Sequence, residues 1–71
     1  MNNVLVFKTN IQTKDDHDKV KALLDQHNGI EEWSVDTEDI DCVLRIVSET
    51  ISSMQIIEQV TAIGYACSEL E

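Results

Sequence analysis

The chain has 71 residues, of which 42% are hydrophobic and 27% charged, and it contains no proline. This composition is typical of one small soluble α+β domain, which we expect to span residues 1–71. The apolar runs are too short to cross a bilayer and no signal-peptide pattern is present, so we expect a cytoplasmic protein without membrane insertion. Cys42 and Cys67 are too few and too isolated for a disulfide framework, which agrees with a reducing compartment.

The formal net charge is -9, and the acidic residues are unevenly spread. Residues 22–71 contain eleven acidic residues and one arginine, whereas residues 1–21 contain four lysines and three aspartates. Phosphate binding needs clustered Lys and Arg, so we expect no nucleic-acid partner. An acidic surface favours a protein partner with a basic surface, although the same acidity is also explained by solubility alone.

The first half of the chain predicts a strand, a helix and a hairpin. Residues 3–9 are apolar and β-branched, which favours a strand with Leu5 and Phe7 on one face. Residues 13–28 carry an apolar stripe at helical spacing, and we expect Gly29 to end this helix in a left-handed cap. Residues 30–36 and 41–48 alternate as strands around a turn at 36–39.

The second half predicts one more helix and one more strand. Ser52 followed by Gln55 forms a capping box, and Gly64 ends the helix that it begins. Residues 65–70 then form a short last strand. The order βαββαβ indicates an α+β, ferredoxin-like sandwich with two helices on one face of a four-stranded antiparallel sheet. The same order of elements is also compatible with other packings.

Three phrases of the sequence resemble the heavy-metal-associated domain family: FKTNI, GIEEWSVDTEDIDCVLRIV and ISSMQIIEQVTAIGY. The resemblance covers residues 3–70 and implies the fold of copper chaperones and of the soluble metal-binding modules of copper and zinc pumps. The family binds metal through a GMTCxxC loop. Setting Ile11 on the Met position of that motif places Thr13 and Asp16 where the two cysteines stand, so the resemblance implies a degenerate metal motif.

Thr13 and Asp16 change the chemistry that the loop offers. Thiolates suit Cu(I) and Zn(II), whereas a hydroxyl and a carboxylate are hard oxygen donors. We therefore expect no cofactor and interpret the chain as a small non-enzymatic domain that acts through protein contacts. Thr13 and Asp16 then form the start of a helix, with Thr13 as N-cap.

An alternative keeps metal-ion binding or metallochaperone-type transfer of Cu(I) or Zn(II). It places a weak or shared site near Asp16 and His17, with Asp16, His17 or a partner's ligands completing the site. The aspartates and histidine at 15–18 cannot converge on one ion because consecutive helical side chains diverge by about 100°. His17 lies at the edge of the apolar stripe, where it is either a ligand of a shared site, a pH-sensitive contact, or a partly exposed residue covering the core.

Catalysis finds little support in the sequence. There is no glycine-rich phosphate loop and no Ser/His/Asp or Cys/His arrangement with recognisable spacing. If the third and fourth strands flank the first, Cys42 and Cys67 lie about 9 to 10 Å apart, too far for a disulfide. A reactive thiol at Cys67 is a third alternative, and inert packing of both cysteines is the simpler interpretation.

Overall fold

The fold consists of four strands and two helices in the order βαββαβ. The computed structural model describes residues 3–70. The elements are β1 (Asn3–Thr9), α1 (Lys14–Asp25), β2 (Glu32–Asp36), β3 (Val43–Ser48), α2 (Ser53–Ala62) and β4 (Cys67–Glu69). The strands form an antiparallel sheet in the order β2-β3-β1-β4, with both helices on one face, so the predicted ferredoxin-like α+β architecture is confirmed.

Strand β1 lies in the middle of the sheet and sets its register. Val6 lies opposite Arg45 of β3, and Lys8 lies opposite Ser68 of β4. Side chains alternate across a strand, so Leu5 and Phe7 turn together towards the helices, as predicted. Phe7 is fully buried.

A single apolar cluster fills the space between the sheet and the helices. Helix α1 contributes two of its buried side chains and α2 contributes two more, which is what the helical spacing of their apolar residues predicts. The cluster consists of Phe7, Ile11, Val20, Leu24, Leu44, Ile46, Ile51, Ile56 and Val60. Within residues 3–70, neither helix is long and apolar enough to cross a membrane.

Several predicted elements are longer than the elements observed in the structure. Helix α1 ends at Asp25 rather than residue 28, which leaves His27 beyond the last turn. Strand β3 begins at Val43 because Cys42 has a positive φ of 45°, which breaks the extended backbone there. The last strand is confined to three residues rather than six.

The two glycines serve different purposes. Gly64 follows α2 with φ 99°, the backbone conformation predicted for a glycine at a helix end. The same prediction for Gly29 was wrong, since Gly29 is not among the residues with positive φ. At Gly29 the constraint is space: a Cβ there would lie 2.8 Å from Cγ1 of Ile51 and 2.9 Å from Oγ1 of Thr50.

Replacing Gly29 by alanine should therefore destabilise the domain, because Ile51 is part of the core and must shift to admit the methyl group. We expect a loss of about 1 to 3 kcal/mol in the free energy of unfolding, measured by urea denaturation. The exposed neighbouring residue offers a control, since Asn28→Ala should change stability by less than about 0.5 kcal/mol. Equal stability of Gly29→Ala and the wild type would contradict this account of the contact.

Candidate functional site

Three loop segments meet at the end of β1. The backbone N–H of Thr9, at the end of β1, donates to the carbonyl of Asp41 in the β2–β3 loop (3.0 Å). The N–H of Ala66 donates to Oδ1 of Asn10 (2.9 Å), which joins the α2–β4 loop to the segment before α1. We call this end, comprising residues 10–17, 37–42 and 64–66, the loop pole. It contains both positions at which the family resemblance expects metal ligands.

Thr13 and Asp16 are bonded to each other at the start of α1. Oγ1 of Thr13 accepts the backbone N–H of Asp16 (3.1 Å), and Oδ2 of Asp16 accepts the N–H groups of Thr13 and Gln12 (3.2 Å each). Thr13 has the extended backbone of an N-cap, with φ −104° and ψ 166°. The capping box is complete although aspartate is shorter than the usual glutamate.

Asp16 also connects the helix start to the far end of the chain. The Tyr65 hydroxyl donates to Oδ1 of Asp16 at 2.9 Å, across 49 positions of sequence. This hydrogen bond, followed by those from the N–H groups of Thr13 and Gln12, lowers the pKa of the Asp16 carboxyl. Burial and the same contact raise the pKa of Tyr65. Each carboxylate oxygen of Asp16 therefore already holds at least one donor from the protein.

His17 lies apart from this network. Its ring packs against Trp33, with centroids 5.2 Å apart, and its Nδ1 is 4.0 Å from Oδ1 of Asp18. The Trp33 indole N–H donates to Asp25 (3.0 Å), which fixes the indole in this position. His17 is thus a partly exposed residue that covers the edge of the core, one of the placements considered from the sequence.

The donors at the loop pole do not form a coordination sphere. Among residues 3–70, no group of three or more His, Cys, Asp and Glu side chains is placed to hold a metal ion. A shallow, open depression of about 240 Å³ adjoins the helix start and is lined by Gln12, Thr13, Lys14, His17, Val35 and Thr37. Its shape offers a surface rather than an enclosed pocket.

The buried hydroxyl of Thr9 stabilises the loop before α1 through hydrogen bonds, a role that was not predicted from the sequence. Oγ1 of Thr9 donates to the carbonyl of Cys42 (2.6 Å) and accepts the N–H of Ile11 (3.2 Å). Thr9 is 7% exposed, so these bonds satisfy polar groups that water scarcely reaches. The only sequence signal was a threonine at the end of a predicted strand, which is too common to indicate this role.

The cysteines are both free thiols. Cys42 is buried, as expected for a small core residue. Cys67 is partly buried, and burial raises its pKa to about 11. A reactive cysteine needs a lowered pKa, so the structure provides no support for a nucleophilic or redox role of Cys67.

Comparison with known proteins gives a fold but no close relative. No model of a known protein family matches the sequence, and no curated protein matches it. Two solved structures are similar along nearly their whole length. Oxidised MerP from Ralstonia metallidurans CH34 has a TM-score of 0.83 at 12% identity, with all of both chains covered. The CsoZ metallochaperone has a TM-score of 0.80 at 17% identity, covering 96% of this chain and 99% of that one.

These similarities show the fold alone, because both identities are low. The chain has the ferredoxin-like α+β fold that the sequence indicated, and MerP and the CsoZ metallochaperone share that fold.

The Asp16 contacts predict a defined pH response. Because folding lowers the pKa of Asp16, the stabilisation it provides is present above the pKa of an unfolded aspartate. That stabilisation is lost as the pH falls through the lower, folded-state pKa. Carboxyl ¹³C NMR should show the Asp16 pKa below its ordinary value in the wild type and higher in Tyr65→Phe, which lacks the donating hydroxyl. An unchanged Asp16 pKa in Tyr65→Phe would contradict the contact.

The raised pKa of Cys67 predicts slow alkylation. With iodoacetamide at pH 7.5, Cys67 should react more slowly than free cysteine, and its rate should still be rising above pH 10. Mass spectrometry of proteolytic peptides separates its modification from that of Cys42. Fast alkylation of Cys67 at neutral pH would instead indicate a stabilised thiolate.

Proposed function

We propose that this chain is a small, non-enzymatic protein-binding domain with a metallochaperone-like fold, in which the loop before α1 does not bind Cu(I) or Zn(II). The observation that carries the proposal is the hydrogen bonding of Thr13 and Asp16. The two residues that stand where the family places its thiolates instead close a helix cap and hold Tyr65.

A metal ion bound by Thr13 and Asp16 would have to displace hydrogen bonds that stabilise the fold. Coordination by the Asp16 carboxylate would displace donors from Tyr65, Thr13 or Gln12, and the Thr13 hydroxyl already accepts the N–H of Asp16. The oxygens that would remain are poor ligands for Cu(I), which prefers soft sulfur. Structural zinc sites are likewise dominated by thiolate and imidazole ligands. The cost of breaking the cap and the weakness of the new bonds both oppose binding.

Protein contact fits what the rest of the surface offers. The depression beside the helix start is open, and a net charge of -9 attracts a partner with a basic surface over several ångströms. Ile40, at 95% exposure, lies between Asp39 and Asp41 in the β2–β3 loop and adds an apolar contact point to an acidic segment. We infer that the domain uses the surface of its metallochaperone-like fold to bind a partner protein.

A metal titration followed by amide NMR tests the loss of the metal site. Adding Cu(I) or Zn(II) to the wild type should leave the amide shifts of residues 10–18 unchanged. The matched control is the double variant Thr13→Cys/Asp16→Cys, which restores two soft ligands three positions apart. This variant should bind Cu(I) saturably and shift the same amides.

Saturable micromolar binding at residues 10–18 of the wild type would overturn the proposal. In that event, Asp16→Ala/His17→Ala would identify the ligands, since its loss of binding would establish the weak or shared site as the function. Binding that survives this variant would place the metal elsewhere on the domain.

A further inference from the structure

Strand β4 is an edge of the sheet with unpaired backbone groups. The N–H of Leu70 donates to the carbonyl of Val6 at 3.0 Å, which makes Leu70 and Val6 a hydrogen-bonded pair. Such pairs alternate along antiparallel strands, so Ser68 also faces β1 while Cys67 and Glu69 direct their N–H and C=O groups outward. Within residues 3–70 no partner meets these outward backbone groups.

An apolar groove runs beside this edge, between β4 and α2. It has a volume of about 500 Å³ and is lined by Ser53, Met54, Ile57, Cys67, Ser68 and Glu69. Met54 is 68% exposed, and Ile57 continues the same helix face one turn later. The Ser53 hydroxyl donates to the Glu69 carboxylate and so joins the start of α2 to β4.

The opposite edge of the sheet, strand β2, differs on its helix-facing side. Beside β2, the side facing the helices is occupied by Trp33, whose ring packs on His17 and whose N–H is bonded to Asp25. The depression near that edge includes Arg45 together with Asp25, Glu31 and Glu32. Charge therefore does not distinguish the two edges, but a partner strand at β2 would meet a flank that Trp33 already fills.

The charge around the β4 groove selects the kind of partner. Residues 49–71, which include α2 and β4, contain four glutamates and no lysine, arginine or histidine. Glu58 is exposed one turn after Met54 on α2, and Glu69 lies on the strand itself. A second copy of this chain would bring two such acidic segments together, whereas a basic segment would be attracted.

We propose that the β4 edge and the α2–β4 groove bind an extended protein segment with an apolar centre and basic flanks. The segment adds to the sheet as a fifth strand through hydrogen bonds to Cys67 and Glu69, as in other cases of strand addition. Its apolar side chains cover Met54 and Ile57, and its basic residues approach Glu58 and Glu69. This inference rests on the proposed protein-binding function and adds the β4 edge to the contact points at the loop pole.

A short peptide tests the surface directly. The probe is a capped peptide of sequence Lys-Lys-Val-Thr-Val-Lys-Lys, titrated into ¹⁵N-labelled domain, with Glu-Glu-Val-Thr-Val-Glu-Glu as its acidic counterpart. We expect saturable shifts at Met54, Ile57, Cys67 and Glu69 and slowed hydrogen exchange of the Cys67 and Glu69 amides. The acidic peptide should bind at least about tenfold more weakly.

Two pairs of variants separate strand addition from simple charge attraction. Glu69→Pro removes an outward N–H, which an edge strand tolerates, while Glu69→Gln removes only the charge; the proline variant should lose more peptide affinity than the glutamine variant. Met54→Ala should weaken binding, whereas Gln26→Ala, which trims an exposed side chain just after α1, should not. Dispersed amide spectra confirm that each variant is folded.

Three outcomes would overturn the inference. Absence of saturable binding would remove the site, and shifts confined to the loop pole would move protein binding to that end while leaving the proposed function intact. Shifts at the β4 edge that depend on protein concentration without peptide would show that a second copy occupies it. The metal titration addresses a separate end of the molecule, so its failure and the failure of this inference are distinguishable.

Discussion

The pairing of β1 on both of its sides is the constraint on which the rest of the structure depends. Because β3 and β4 both run antiparallel to β1, the loop that precedes β3 and the loop that precedes β4 must lie where β1 ends. That geometry delivers Asp41, Tyr65 and the start of α1 to a single pole. Any chemistry or recognition at this pole is therefore assembled from distant parts of the sequence by one strand.

At the loop pole, the carboxylate of Asp16 accepts hydrogen bonds that stabilise the fold. It closes the cap of α1 on one side and anchors Tyr65 on the other, so the helix start and the last loop are held together by one side chain. The architecture shared with MerP and the CsoZ metallochaperone does not by itself specify a metal. At the two positions where the family resemblance expects sulfur, this chain has the oxygen donors of Thr13 and Asp16.

The sequence predicts the types and order of the elements because those depend on local patterns. Apolar, β-branched composition predicts β1, alternation predicts β2 and β3, apolar stripes predict both helices, and the N-caps Thr13 and Ser52 are recognised from residues three positions apart. Boundaries failed where tertiary contacts decide them. No residue type next to Cys42 in the sequence predicts its positive φ. At Gly29 the backbone is not left-handed, and glycine is required because Ile51 and Thr50 leave no room for a Cβ atom. The Tyr65–Asp16 bond could not be predicted, since pairs 49 positions apart leave no periodic signal.

The shared use of Thr13 and Asp16 restricts the mutational routes between this loop and a thiolate site. A lone change of Thr13 to cysteine removes the acceptor of the Asp16 N–H, and losing an N-cap of this kind costs about 1 kcal/mol. A lone change of Asp16 to cysteine releases Tyr65 as well as two backbone N–H groups. Either single substitution lowers the stability of the domain without providing the second sulfur ligand. A gain in metal binding therefore appears only when both residues have changed to cysteine. The helix cap thus acts as an epistatic barrier that holds the loop in its present state.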